Sequence, residues 1–507
     1  MLKEGENVWK VALADRAALV VDAENYFVHA RSAMSQATKC IMMVGWDFDA
    51  RIELVPGRDD IPDEKLGDFV YRLVKENPDL DIYLLRWRFG AFKVFARGTT
   101  IFTIIKWLLH PRIHLRLDGA HPYGSSHHQK IVVIDDSFAF CGGIDMTGDR
   151  WDTRDHADED PRRRRANGVA YGPWHDATAA LHGPVAKLLG DLVRLRWQRA
   201  GGRTPPPKVE KDNDCWPEEL EPQFRNVQVG IARTLPAMPD WDGVHEIEAL
   251  FLDQIARAKN HIYMESQYFA SRAVAEAMAE RLEEPGGPEI VIVNPLTAEG
   301  WLEPMAMDSA RARLFQALKA VDFEDRLHLY HPYTAGGTPI YVHAKITIID
   351  DELVRVGSAN LNNRSMRLDT ECDIVIDDLQ DGNDDNAETI CRMMCDLIGE
   401  HLGVGPDRVL EERNAAGSLI AAIEKLRVSE EVGERTLRPY KVPELDTVEA
   451  FLADNEVLDP EGPQDMFEDF AKRQLLRGFV SRVKHRAKRG KQRLKDRRTA
   501  RHERRGH

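Results

Sequence analysis

Long apolar runs are absent from this sequence. The densest apolar stretch near the front, residues 101–109, is nine residues long and interrupted by Lys106. A helix that spans a bilayer needs roughly 20, so no transmembrane segment is predicted. The opening Met1-Leu2-Lys3-Glu4-Gly5-Glu6 lacks the apolar core of a secretory leader. Cysteine is scarce as well: six in 507 residues, at 40, 141, 215, 372, 391 and 395, with no C-x-x-C pair. A zinc centre needs about four ligands at tight spacings. Free buried thiols are therefore expected, not a metal centre or a disulfide framework, and they suit a reducing compartment. There is no His-Glu-x-x-His, and the acidic run at 377–385 lacks the alternating order of a calcium loop. No metal and no cofactor are expected. The cytoplasm is the expected location, or export by a route that leaves no amino-terminal mark.

What the chain does have is one stretch written twice. His128-Gln129-Lys130-Ile131-Val132-Val133-Ile134-Asp135 and His343-Ala344-Lys345-Ile346-Thr347-Ile348-Ile349-Asp350 share the form H-x-K-x-x-x-x-D. Gly142 and Gly357 stand 14 residues after the histidines; Asp145 and its amide counterpart Asn360 stand 17 after. Chance can supply one such motif, but two with matching downstream offsets argue an internal duplication. Each apolar run is rich in β-branched residues and ends in Asp-Asp, which predicts a strand and a tight turn. On a strand, residues i and i+2 share a face. His128 would then project with Lys130, and His343 with Lys345, so that each copy offers one imidazole and one ammonium to the same spot.

The flanks repeat too. Residues 22–37 read as a helix and 40–46 as a buried strand, and 244–259 and 261–265 repeat that order. Helix alternating with strand predicts an α/β layered architecture. The expected fold is two similar α/β halves, each a mixed sheet flanked by helices, related by a pseudo-twofold duplication with one active site between them. The expected boundaries are 1–200 for the first half, 201–226 for a linker containing Pro205-Pro206-Pro207, and 227–405 for the second half. A helical extension at 406–465 and a basic amphipathic tail at 466–507 complete the chain.

These residues resemble the phospholipase D superfamily, whose signature is the duplicated motif. Gly142-Gly143-Ile144-Asp145 and Gly357-Ser358-Ala359-Asn360-Leu361-Asn362-Asn363-Arg364-Ser365-Met366 are similar to the segments that follow the motifs in its phospholipid-cleaving members. Arg150-Trp151-Asp152, Pro173-Trp174-His175-Asp176, Gly183-Pro184 and Tyr263-Met264-Glu265-Ser266-Gln267-Tyr268 are similar to the phospholipase branch in particular. The resemblance runs from about residue 10 to 400. It implies hydrolysis of a glycerophospholipid to phosphatidate and the free headgroup alcohol. Transfer to an alcohol, as in cardiolipin synthases, and cleavage of nucleic acid are the alternatives within the superfamily. Met264 and Ser266 depart from the branch pattern and leave headgroup preference open.

The chemistry explains the residue types. A phosphodiester is an anion with a poor alkoxide leaving group, so its displacement needs charge stabilisation, a nucleophile and a proton. Lys130 and Lys345 can donate to phosphate oxygens. One imidazole can attack phosphorus while the other acts as general acid and then base. The resemblance implies that His128 is the nucleophile, through a phosphohistidine, and that His343 is the acid/base. It further implies that Asp176 and Glu371 orient the rings, and that Ser358, Asn360 and Gly143 contribute to substrate binding. Asp135 and Asp350 join the catalytic candidates as the last residues of the motif, although strand ends predict turn or structural hydrogen bonding there. His121 and His127 are expected to be bystanders.

Three further stretches bear on partners. Residues 81–110 interleave Tyr83, Trp87, Phe89, Phe92, Phe95, Phe102 and Trp107 with Arg86, Arg88, Lys93 and Arg97. They read either as a core strand and helix or as a surface touching a lipid headgroup layer. Residues 150–165, acidic and then Arg162-Arg163-Arg164-Arg165, read as an exposed loop. From residue 471 onward there are 16 Lys/Arg and 2 Asp/Glu, a net of +14 that leaves −29 on the rest of a chain totalling −15. Met466, Phe467, Phe470, Leu475, Leu476, Phe479, Val480 and Val483 fall on one helical side. Such a basic tail can bind anionic lipid, the acidic body of the protein itself, or nucleic acid. The expected partner is phospholipid at a membrane surface, met by a peripherally associated monomer.

Overall fold

The computed structural model describes residues 2–58, 60–61, 63–88, 100–298, 303–427 and 434–443. Phe89, Phe92, Lys93, Phe95 and Arg97 of the aromatic stretch, and the whole basic tail, lie outside the described residues.

Strands in the first part of the chain are β1 (Lys10–Val21), β2 (Cys40–Gly45), β3 (Asp81–Trp87), β4 (Ile113–Asp118), β5 (Ile131–Ile134), β6 (Phe138–Gly142), β7 (Trp174–His175) and β8 (Ala177–His182). The second part adds β9 (Phe224–Leu235), β10 (Val244–His245), β11 (His261–Glu265), β12 (Glu289–Val293), β13 (Leu327–Tyr333), β14 (Tyr341–Val342), β15 (Ile346–Ile349), β16 (Leu353–Gly357), β17 (Glu371–Asp377) and β18 (Thr436–Pro439). Nearly all of them join one mixed sheet, flanked by helices. At its centre β1 and β9 pair antiparallel, with Lys10 opposite Ile231 and Ala17 opposite Phe224. Outward from β1 the order is β8, β6, β5, β2, β3, β4; outward from β9 it is β17, β16, β15, β11, β12, β13, with β18 added at that edge. Position for position the two lists use the same order of appearance in the chain, so one strand plan occurs on both sides of the central pair. In each, three parallel strands lie outside an antiparallel meander that carries the motif's apolar run.

Local sequence accounts for these elements. Ile131–Ile134 and Ile346–Ile349 are buried at every position, as strands covered by helices on both faces must be. Both runs turn at Asp-Asp with positive φ: 49° and 54° at Asp135 and Asp136, 53° and 59° at Asp350 and Asp351. Two successive left-handed residues make the tight hairpin turn that matches strand twist, and Asp tolerates that region better than most residues. On one face of the sheet, Val185, Leu189 and Val193 of the helix Pro184–Arg199 share a core with Met394 and Ile398 of the helix Ala387–Leu402. On the other face, each side has its own core under the helices Ala23–Ser35 and Leu66–Glu76, or Glu246–Arg257 and Arg272–Glu283.

The 201–226 linker is packed against the fold, with Cys215, Trp216 and Leu220 in the first side's core. The extension after 405 is not only helical, because Thr436–Pro439 pairs antiparallel with β13 at the sheet edge. Of the aromatic stretch, Tyr83 and Trp107 are core residues, while the exposed apolar side chains nearby are aliphatic Ile105, Leu108 and Leu109. Among the described residues no helix is long and apolar enough to cross a membrane.

Candidate active site

Both motif histidines lie where the two sides of the sheet meet, just before their strands begin. β5 starts at Ile131 and β15 at Ile346, so His-x-Lys is the approach to the ladder and not part of it as the spacing had suggested. The approach is held from across the molecule. The amide of His128 donates to the carbonyl of Thr370 at 3.0 Å, and the amide of His343 donates to the carbonyl of His175 at 2.7 Å. In each case the residue that follows the acceptor is a carboxylate, Glu371 or Asp176. Those carboxylates then take the rings: Nδ1 of His128 lies 2.9 and 3.1 Å from the two oxygens of Glu371, and Nδ1 of His343 lies 2.7 Å from Oδ2 of Asp176. Each imidazole is oriented by the other half of the chain. With Nδ1 engaged, Nε2 is the nitrogen left for chemistry.

The lysines differ. Lys130 Nζ donates to the carbonyl of His128 at 2.9 Å and forms an ion pair with Asp145 at 3.1 Å. Lys345 Nζ donates to the carbonyl of His343. Where the first copy has Asp145, the second has neutral Asn360, and among the described residues Lys345 has no ion pair within 4 Å. Burial pushes the Lys345 ammonium down to about 7, with Asp176 opposing. Burial, then Lys130 and Lys345, hold His128 well below the ordinary imidazole range. Burial, Lys345 and Arg150 do the same for His343. Both shifts favour the uncharged imidazole. Burial raises Glu371 to about 8, against a hydrogen bond from Ser358. It also raises Asp176, which Lys345 opposes.

Other expected site residues are placed differently. Ser358 was expected at the phosphate; its hydroxyl instead donates to Glu371 Oε2 at 2.5 Å. Gly143, expected at the substrate, lies beneath Asp176: a Cβ there would meet Asp176 Oδ1 at 2.2 Å. Asn360 is buried, with an Oδ1 that has no hydrogen-bond partner. Asp135 and Asp350 are not brought to the histidines. Asp135 accepts from the amides of Thr38, Lys39 and Cys40 at 2.7 to 2.8 Å, and Asp350 from those of Lys259, Asn260 and His261 at 2.6 to 2.9 Å. They tie the turn after each motif strand to the residues that open the neighbouring strand. His127 is buried with Nδ1 at 2.5 Å from the Thr370 hydroxyl, and burial lowers it to about 3. His121 lies 3.0 Å from the Trp87 indole nitrogen.

Several contributors were not singled out by sequence. Ser365 donates to Glu371 Oε1 at 2.8 Å. The Arg150 guanidinium sits 4.3 Å over the Trp174 ring, which lies 5.3 Å from His343 and stacks on Tyr341 at 4.5 Å. Ser365, Arg150 and Trp174 belong to segments that resemble the phospholipase branch, so the signal was present without a role attached. Neither motif contributes to the groups of His and carboxylate side chains close enough to share a metal ion among the described residues. Those groups comprise Asp22, His156, His175 and Glu400, and His175, Glu265 and His401.

Two crossed His–carboxylate pairs with two lysines, assembled from duplicate motifs at the centre of one sheet, define a two-motif histidine site. Comparison with known proteins agrees in kind. The family model described as "Cardiolipin synthase, PLD-like domain" matches residues 251–388. Phospholipase D A of Dictyostelium discoideum is 25% identical over 472 residues, covering 76% of this chain and 36% of its own length. Phospholipase D alpha 1 of Arabidopsis thaliana is 25% identical over 358 residues, covering 48% and 44%. The chain thus spans well under two thirds of these relatives. Phosphatidylserine synthase of Haemophilus influenzae Rd KW20 aligns with a TM-score of 0.49 at 14% identity, covering 76% of this chain and 89% of that one. The chain belongs to the phospholipase D superfamily.

Proposed function

We propose that this protein is a phosphodiesterase of the phospholipase D type, cleaving the distal phosphodiester bond of glycerophospholipids through a phosphohistidine. The observation that carries the reading is the crossed pairing: two buried imidazoles, each with Nδ1 held by a carboxylate, beside two lysines. In the first step Nε2 of His128 attacks phosphorus and the bond to the headgroup oxygen breaks. That oxygen takes a proton from Nε2 of His343. In the second step water or an alcohol gives its proton to His343 and attacks phosphorus, and the P–N bond breaks. Glu371 accepts the Nδ1–H of His128, which leaves Nε2 its lone pair and stabilises the charge that forms on the ring. Asp176 does the same for His343. The ammoniums of Lys130 and Lys345 donate to the non-bridging oxygens. An anionic phosphodiester offsets the cations that hold His343 neutral, so binding itself favours the protonated acid the first step requires.

Transfer to an alcohol in place of water is the second reading, favoured by the cardiolipin-synthase description of the family model that matches 251–388. One experiment addresses both. Purified protein is given mixed phospholipid vesicles with and without ethanol, beside His128→Ala and His343→Ala, and lipid products are followed by mass spectrometry. Phosphatidate that turns into phosphatidylethanol with ethanol, and is lost in both variants, supports the phosphatidyl-enzyme. A phosphatidyl product only when an alcohol is supplied favours the transferase. No lipid product under any condition overturns the reading, and single-stranded DNA is then the next substrate.

A further inference from the structure

The proposed reaction gives no ligand to one cation beside His343. We infer that Arg150 is a further substrate-binding residue, whose guanidinium donates to a non-bridging oxygen of the phosphodiester on the side from which the headgroup leaves. The inference rests on the proposed reaction and adds a ligand to it.

Arg150 differs from the arginines around it. Arg154 pairs with Asp396 and Glu400, Arg162 with Asp160, Arg163 with Asp152 and Arg165 with Asp149, all at 2.5 to 3.1 Å. Carboxylates are plentiful in this stretch, yet among the described residues Arg150 has no ion pair within 4 Å. The carboxylate of Asp149, the residue before it, is taken by Arg165 Nε at 2.8 and 2.9 Å. Of the Arg150 donors, Nη1 meets the carbonyl of Asp149 at 3.2 Å, and Nε is buried without a hydrogen-bond partner among the described residues. A half-buried cation with unmatched donors is costly. Such local violations belong at places that a ligand completes.

An aromatic ring fixes the guanidinium. It lies 4.3 Å over Trp174, which is buried and stacks on Tyr341 at 4.5 Å. Contact with a ring face holds the charge in place but supplies no acceptor oxygen, so the planar fork is left for an anion. The ladder of β7 and β14 ties this position to the catalytic ring. Trp174 stands opposite Tyr341 and His175 opposite Val342, and the next residues are Asp176 and His343, which bond to each other. The segment that orients His343 therefore also places the platform under Arg150.

Electrostatics put the guanidinium in the same site. After burial, the charges that hold His343 low act in the order Lys345, Arg150, Lys130. Arg150 thus bears on that ring more strongly than one of the two motif lysines does. Lys130 is paired with Asp145, which leaves Lys345 and Arg150 as the cations near His343 that no described carboxylate pairs within 4 Å. A phosphodiester has two non-bridging oxygens, and attack on phosphorus adds charge to both. One ammonium and one guanidinium fork match that pair of acceptors. Because His343 protonates the departing headgroup oxygen, a ligand on its flank holds the phosphoryl group where the proton can reach.

The test uses the full chain with Arg150→Ala and Arg150→Lys on mixed vesicles of phosphatidylcholine and phosphatidylglycerol. Arg150→Ala should lower kcat/KM about 10²-fold for both lipids. Arg150→Lys, which keeps the charge and loses the fork, should fall between it and the wild type. Free guanidinium ion at millimolar concentration should restore part of the activity of Arg150→Ala and none to His343→Ala. In a readout that needs no turnover, inorganic phosphate should raise the melting temperature of the wild type, and by less in Arg150→Ala. The assignment is overturned by an Arg150→Ala enzyme within about threefold of the wild type, by an equal phosphate response, or by a loss that guanidinium does not relieve while the melting temperature falls. A loss confined to phosphatidylglycerol also overturns it and would put Arg150 on an anionic headgroup. A wild type that turns over neither lipid removes the functional reading, and the phosphate response then decides on Arg150 alone. If Arg150→Ala does not fold, Arg150→Lys carries the same comparisons.

Discussion

Adding one methyl group at Gly143 tests the site's construction without touching a titratable residue. A Cβ there would lie 2.2 Å from Asp176 Oδ1 and 3.2 Å from its Cγ, whereas ordinary contacts begin near 3.4 Å. The oxygen must therefore move by about 1 Å, and it has little room to do so. Asp176 is fully buried, its Oδ1 accepts from the amide of Ala177 at 2.8 Å, and its Oδ2 is 2.7 Å from His343. The glycine's own amide is bonded to the carbonyl of Ala177 at 2.9 Å, so the backbone is pinned as well. A shift of about 1 Å in a positioning group costs on the order of 10²-fold in rate, and overpacking of this kind costs about 1–3 kcal/mol in stability. For Gly143→Ala, kcat for headgroup release from vesicles should fall about 10²-fold. KM should stay close to that of the wild type, because the ammonium groups are not disturbed. Thermal melting should show the smaller loss of stability. A variant within about threefold of wild-type kcat at an unchanged melting temperature would refute the idea that Asp176 works by holding His343 in one orientation.

Two further outcomes follow from the same contacts. Ser365→Ala removes a donor to Glu371, whose carboxyl already sits at about 8, so its pKa should rise further. Glu371 must be ionised to accept the Nδ1–H of His128, and the rising limb of kcat/KM against pH should therefore move to higher pH. One charge-assisted hydrogen bond is worth about 1.5–3 kcal/mol, so a shift of about one unit or more is expected, and an unmoved limb counts against the role of Glu371. Asp135→Asn should lower stability by about 2–3 kcal/mol, since Asp135 serves three strand-opening amides. It should leave kcat of the folded protein within about twofold, and loss of kcat with an unchanged melt would return Asp135 to the catalytic set.

Local pattern was enough for the parts of the fold that are locally determined. The β-branched runs after each motif are strands, their Asp-Asp ends are left-handed turns, and the helix–strand pair at 22–46 recurs at 244–265. The two orienting carboxylates were also legible, through resemblance, but not which histidine each serves. That pairing is decided by β1 meeting β9 at the middle of the sheet, a contact between strands more than 200 residues apart. Long-range ion pairing explains the misread loop at 150–165. Its density of charge reads as solvated, yet His156 and Arg163 are buried because Asp152 and Glu400 receive them, and Glu400 is 244 residues from His156. Composition within a window carries no trace of a partner on a distant helix. Ser358 and Gly143 occupy equivalent places beside the two carboxylates, a contact that the resemblance did not assign to them.

The differences between the two copies are what make the duplicated site workable. A strictly symmetric pair of histidines would have equal proton affinities, whereas the proposed reaction needs one ring as nucleophile and the other as acid. The sequence breaks the symmetry at several points. Lys130 is neutralised by Asp145, while its counterpart Lys345 faces a copy in which that position is Asn360. His128 is backed by a longer carboxylate, Glu371, fixed by two serine hydroxyls, and His343 by the shorter Asp176 seated against a glycine. Arg150 and Trp174 crowd His343, and its side chain is 6% exposed against 16% for His128. Each change acts in the same direction. The more accessible ring has a carboxylate held rigidly to support the charge that develops on attack. The more enclosed ring sits among cations, so the proton it needs as an acid arrives only with an anionic substrate. Because each ring is held by the opposite half, this division of labour exists only when both halves are folded together.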